Sequence, residues 1–243
     1  VLISGAYGFG LAIGGLFNVW RLELLCLITS AVLLSLRVLR PRKAQEKMRL
    51  VEADSRLVDL SLLVVIVISI LLFLPPSQWV LSDGDPGIYY NIASNINETG
   101  TLAARYDPRV VSPDLITSGL LVSSYAPWSG RSDLFYGFTV SNPQTGTVSP
   151  LLFHIWPLWI AVFISMFGSE WAFYAVPLFA TLSSAAFFLF LKETLGWRVS
   201  LASTLILQSS FLEIFFAKAP ASEMLGQALI MIGFATLVIA KKR

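Results

Sequence analysis

Apolar and polar positions fall in long blocks along this chain rather than in short periods. Seven apolar runs stand out, at residues 1–20, 22–39, 57–74, 151–167, 171–191, 199–216 and 224–240. Most approach the ~20 residues that a helix needs to cross a bilayer. The first carries Gly5, Gly8, Gly10, Gly14 and Gly15, small residues that let helices approach closely. Residues 75–150 break the series: they are polar, rich in Ser, Gly, Pro and Tyr, and too long for a simple connector.

Local signals divide that polar stretch. Asp85 can cap a helix with Pro86 at its first position, Ile88, Ile92 and Ile96 form an apolar stripe one turn apart, and Gly100 supplies the stop. An amphipathic helix on the membrane surface is expected there. Further on, Asn142-Pro143-Gln144-Thr145-Gly146 is turn chemistry between residues 134–140 and 147–153, which suits a hairpin. The expected class is nevertheless an all-α integral membrane protein.

Composition agrees, with 56% hydrophobic and 13% charged residues and a mean hydropathy of +0.73, against roughly 45–50% and about 25% in soluble domains. The net charge of +2 carries no signature of nucleic-acid binding. Cys26 is the single cysteine and falls in an apolar run, so an intrachain disulfide is excluded. The chain opens on Val1 within an apolar run and closes on Lys241-Lys242-Arg243 directly after another, which reads as an N-terminal fragment of a longer protein.

Charge placement sets the expected topology. Arg40-Pro41-Arg42-Lys43 and the basic residues that follow, up to Arg56, mark a cytoplasmic loop, so residues 57–74 run outward and Pro75-Pro76 ends them outside. Asp83 and Asp85 then emerge on the extracytoplasmic face. Were all four later runs to cross, Lys192, Arg198 and Lys241 would end outside, against the positive-inside rule. The run at 151–167 is short and holds His154, Trp156, Pro157 and Trp159, and leaving it on the outer face restores the rule. About six spans remain, and the turn Lys218-Ala219-Pro220-Ala221-Ser222-Glu223 joins Asp83 and Asp85 outside. The expected division is residues 1–56, two helices and the basic loop, and residues 57–243, a module with an extracytoplasmic loop at 75–170. The expected location is multi-pass in the plasma membrane with an extracytoplasmic active face.

An outward span, an acidic pair at its exit, an amphipathic helix, a non-crossing apolar segment, two more spans and an external turn with an acid resemble the GT-C class of membrane glycosyltransferases. That class includes oligosaccharyltransferase catalytic subunits and protein O-mannosyltransferases. Asp83-Gly84-Asp85-Pro86 is similar to the acid-x-Asp-Pro start of the oligosaccharyltransferase first external loop, with Gly87 where the family usually has Trp. Glu223 resembles the acid of the second loop, and Phe167-Gly168-Ser169-Glu170-Trp171 is similar to a pattern of bacterial lipid and wall glycosyltransferases.

The resemblance implies sugar transfer from a polyprenyl-phosphate donor held in the membrane lipid. Asp85, with Asp83, would be catalytic, taking the proton of the attacking acceptor. Charge gathering on the leaving phosphate would meet Lys218 or a Mg²⁺ or Mn²⁺ ion on Asp83, Asp85 and Glu223. His154 and Tyr89 would contact substrate. Each has a plainer role open to it: a cap for Asp85, a turn for Asp83, a helix flank for Glu223, and interfacial anchoring for Lys218, His154 and Tyr89. The alternative function is an inactive membrane subunit that binds lipid or partner proteins on the same scaffold. A transporter is disfavoured because the spans carry almost no charge at their centres.

Overall fold

The computed structural model describes residues 2–38, 52–78, 85–105, 133–135, 138–142, 145–150 and 155–241. Asp83 and His154 lie outside them. The chain is mostly helical and forms two compact units, one from Leu24–Gln78 with Phe173–Arg243 and one from Leu2–Glu23 with Trp79–Ala172.

The first unit is a helical bundle. Its elements are α2 (Val19–Val38), which begins in the other unit, α3 (Glu52–Phe73), a 3-10 turn (Ser169–Tyr174) leading into α6 (Ala175–Leu195), α7 (Trp197–Ser209), α8 (Phe211–Lys218) and α9 (Glu223–Lys241). Among the described residues three helical segments are long and apolar enough to cross a membrane: Arg56–Phe73, Ser169–Leu195 and Glu223–Lys241. A fourth crossing arises if α7 and α8, bent by 65° at their junction, make one broken span. These apolar helices make this a membrane protein, in which the described residues supply three to four of the about six spans expected.

Hydrogen bonds set the helix directions in this unit. Gln208 Nε2 donates to Val65 O at 3.1 Å and to Ser69 Oγ at 2.6 Å, and Ser77 N donates to Lys218 O at 2.9 Å. Helix α3 and the α7–α8 pair therefore run side by side in the same direction. Ser200 Oγ donates to Phe188 O across the tight turn at Gly196, so α6 runs the other way, and the contact of Phe190 with Phe234 sets α9 beside it. The result is a polarity along the bundle. Arg56, Lys192, Arg198 and Lys241 fall at one end; Pro75, Lys218 and Glu223 fall at the other.

The second unit holds α1 (Leu2–Ile13), α4 (Asp85–Thr99), α5 (Ile155–Phe167) and four short strands. Helix α4 follows the sequence signals closely: Asp85 opens it, Ile88, Ile92 and Ile96 are buried, and Gly100 ends it with φ +74°. The isoleucine stripe packs on α5, whose Trp156, Leu158, Ile160 and Ala161 are buried in turn. Helix α5 has 13 residues, about 20 Å at 1.5 Å per residue, against a hydrocarbon core of about 30 Å.

Two expectations are corrected here. Residues 1–20 do not form one helix: α1 stops at Ile13, and Gly15, with φ +65°, turns the chain toward Asn18, whose Oδ1 caps α2 by accepting from Trp20 N. Nor is the fold all-α. Strands β1 (Ala104–Arg105), β2 (Asp133–Phe135), β3 (Phe138–Asn142) and β4 (Thr147–Pro150) form an antiparallel sheet in the order β1-β4-β3-β2. The β3–β4 pair is the expected hairpin, with Val140 opposite Val148 and Gly146 at φ +67° in its turn.

Candidate functional site

The turn between α8 and α9 is the best-defined part of the proposed site. Lys218 ends α8 with its backbone carbonyl held by Ser77, Ala221 N donates to Ala219 O at 2.7 Å, and Ala219 and Pro220 are buried. This packing fixes the backbone and leaves Glu223 exposed at the first turn of α9. A carboxylate there also suits the positive end of the helix dipole. Lys218 is half-buried, with a long stem that can lay its ammonium outward.

Asp85 is exposed at the first turn of α4, in the second compact unit. Its partner in the motif, Asp83, and the substrate candidate His154 fall outside the described residues. Tyr89 is only 2% exposed and belongs to the core of its unit, on the same helix as the buried Ile88, Ile92 and Ile96. Among the described residues no three His, Cys, Asp or Glu side chains gather closely enough to hold a metal ion. The three-carboxylate set itself includes Asp83.

Sequence reasoning passed over a second polar feature. Glu213, 6% exposed, sits in the first turn of α8, and Gln227 Nε2 on α9 donates to both of its carboxylate oxygens at 3.2 Å. Ser210 Oγ accepts from Glu213 N at 3.3 Å, which caps α8 at the bend. The spacing Ser210-Phe211-Leu212-Glu213 is that of a capping box. It was legible in the sequence but lies inside a run whose average hydropathy hides it.

The bundle carries further buried polar groups. Ser69, Ser183, Ser184, Ser200, Thr204 and Gln208 are fully buried. Ser200, Thr204 and Ser69 donate to backbone carbonyls, as hydroxyls in apolar helices commonly do. Ser183 Oγ, Ser184 Oγ and Gln208 Oε1 find no hydrogen-bond partner among the described residues. Comparison of the chain with family models, with curated proteins and with solved structures gives no match.

Proposed function

We propose that the protein is a GT-C-type membrane glycosyltransferase that moves a sugar from a polyprenyl-phosphate donor to an extracytoplasmic acceptor. The observation that carries this reading is the Ser77 N to Lys218 O hydrogen bond. It ties the exit of α3 to the Lys218–Glu223 turn, and the chain reaches Asp83-Gly84-Asp85 a few residues after Ser77. In this reading both motifs belong to the side of the membrane on which α3 ends. The opposite end collects Arg56, Lys192, Arg198 and Lys241, which the positive-inside rule assigns to the cytoplasm of a plasma-membrane protein. The short α5 supports a segment that lies along the outer face instead of crossing.

In this reading the donor's isoprenoid tail stays in lipid and its phosphate rests at the outer mouth of the bundle. Asp85 accepts the proton of the attacking acceptor, with Asp83 beside it in sequence. Lys218 faces the charge that grows on the leaving phosphate. Asp83, Asp85 and Glu223 offer the hard oxygen donors that Mg²⁺ or Mn²⁺ prefer, and such an ion would supply further positive charge at that phosphate when bound. A second reading, an inactive scaffold that binds lipid or a partner subunit, draws on the burial of Tyr89, which removes one proposed substrate contact.

The test is transfer from polyprenyl-phosphate sugars by the full-length protein in membranes. Asp85→Asn is expected to lower transfer by about 10²–10⁴-fold, the usual contribution of a positioned general base, with expression unchanged. Undiminished transfer removes Asp85 from the mechanism. Wild type that binds the lipid but transfers nothing supports the scaffold. Loss of transfer on chelation, restored by Mg²⁺ or Mn²⁺, selects the ion; indifference to chelation with loss in Lys218→Met selects the ammonium.

A further inference from the structure

We propose that the end of the bundle opposite the Lys218–Glu223 turn binds anionic phospholipid, with Arg56 and Arg198 holding the headgroup phosphate at the membrane surface. The two arginines share a level along the bundle. Gln208 Nε2 donates to Val65 O at 3.1 Å. At roughly 1.5 Å per residue, Arg198 lies about 15 Å before Gln208 on α7 and Arg56 about 14 Å before Val65 on α3. Helix α6 brings a third cation near that level: Ser200 Oγ donates to Phe188 O, and Arg198 and Lys192 lie about 3 and 6 Å beyond that bond toward the same end. Arg56 and Arg198 are exposed, and Lys192 is half-buried.

Their neighbours favour a lipid over a soluble anion. Leu57 and Leu60 follow Arg56 on α3, Leu195 and Val199 stand close in sequence to Arg198, and each of the four is about half exposed. The Arg198 guanidinium lies over the Trp197 ring, 5.4 Å from its centroid. Tryptophan and a cation at the end of an apolar helix suit the boundary where headgroups meet acyl chains. A phospholipid satisfies both kinds of side chain at once: its chains cover the exposed leucines and valine, and its phosphate accepts the paired N–H groups of a guanidinium.

Charge complementarity selects the headgroup. Acids share this end of the bundle, since Glu193 pairs with Lys192 at 3.2 Å and Asp59 lies one turn along α3 from Arg56. The surplus is nevertheless positive. Residues 37–59, 192–198 and 241–243, which lead into or out of this end, hold 12 of the chain's 17 Lys and Arg but only 5 of its 15 Asp and Glu. An anionic lipid is drawn into such a field. A zwitterionic lipid brings the same phosphate with an ammonium that the field repels. Arg56, Arg198 and Trp197 make the contact, and the remaining cations supply the attraction around it.

The inference rests on the membrane reading of the bundle and not on sugar transfer, so either can fail alone. The experiment uses the full chain in phosphatidylcholine vesicles, with bimane on Leu195→Cys in a background where Cys26 is replaced by alanine. Brominated phosphatidylglycerol or brominated phosphatidylcholine is mixed in, and quenching of the bimane reads which lipid stands at the site. Each arginine at the surface contributes about fivefold at low salt. Half-quenching is therefore expected at a mole fraction of phosphatidylglycerol roughly 5–25-fold below that of phosphatidylcholine. Arg198→Gln should narrow that gap about fivefold, sodium chloride at about 1 M should narrow it too, and Arg105→Gln, at an exposed arginine of the second unit, should leave it unchanged. Equal quenching by the two lipids in the wild type overturns the proposal. So does a preference for phosphatidylglycerol that survives intact when Arg56 and Arg198 are both replaced by glutamine.

Discussion

Gly100→Ala tests the joint that ends α4. Gly100 has φ +74°, its N–H donates to Ile96 O at 2.9 Å, and its carbonyl accepts from Phe17 N at 3.1 Å, which fastens the link between α1 and α2 to the end of α4. A Cβ added there would meet Phe17 O at 3.1 Å and Gly15 O at 3.4 Å, tighter than ordinary carbon–oxygen contact. The left-handed backbone costs an alanine about 1–2 kcal/mol, and the crowding adds to that. The lower entropy of the unfolded alanine chain offsets only about 0.4–1 kcal/mol. A net loss of about 1–2 kcal/mol is expected, roughly a 5–30-fold change in the opening equilibrium. Hydrogen exchange in nanodiscs reads it: the amides of Phe17 and Gly100 should lose protection by that factor, while those of α6 and α9 keep theirs. Gly100→Asn should lose less, since asparagine tolerates the left-handed region but still meets Phe17 O. Unchanged protection in Gly100→Ala would refute both the turn geometry and the Phe17 contact.

Two further substitutions probe the cores of the two units. Ile92 is fully buried between α4 and α5, and Ile92→Ala should cost ~2–5 kcal/mol, read as earlier thermal unfolding; a loss under half a kilocalorie would mean that α4 does not pack there. Gln208→Leu gives up two interhelical hydrogen bonds worth about 0.6 kcal/mol each, yet removes a buried unpartnered oxygen that costs ~1–3 kcal/mol. It should therefore be close to wild type in stability, with Gln208→Ala clearly worse because it leaves a void. The reverse order would show that the amide contacts, not the volume, hold α7 to α3.

What the sequence disclosed depended on how local the signal was. Helix α4 was legible because Asp85-Pro86, the isoleucine stripe and Gly100 lie within one short segment and agree with one another. The β3–β4 hairpin was legible for the same reason, through the Asn142–Gly146 turn. Its added strands were not, since β1 reaches β4 across more than forty residues of chain. In the apolar runs, averaging hid the breaks. Gly14 and Gly15 were read as surfaces for helix approach, whereas Gly15 ends a helix, and the polar group Gln208-Ser209-Ser210 was submerged in an apolar stretch that bends by 65°. The candidate site was legible as two motifs on separate stretches of chain. Glu213 escaped because a single acid barely lowers the hydropathy of the run around it.

The most direct test of the account concerns the two motifs sharing an extracytoplasmic face. Single cysteines at Ser129, Ala221 and Gln45, in a background where Cys26 is replaced by alanine, would be exposed to a membrane-impermeant thiol reagent in intact cells. The account predicts labelling at positions 129 and 221 from outside and at position 45 only after the membrane is opened. Labelling at 129 with protection at 221 would place the Asp83-Gly84-Asp85 stretch and the Lys218–Glu223 turn on opposite sides of the membrane and contradict it.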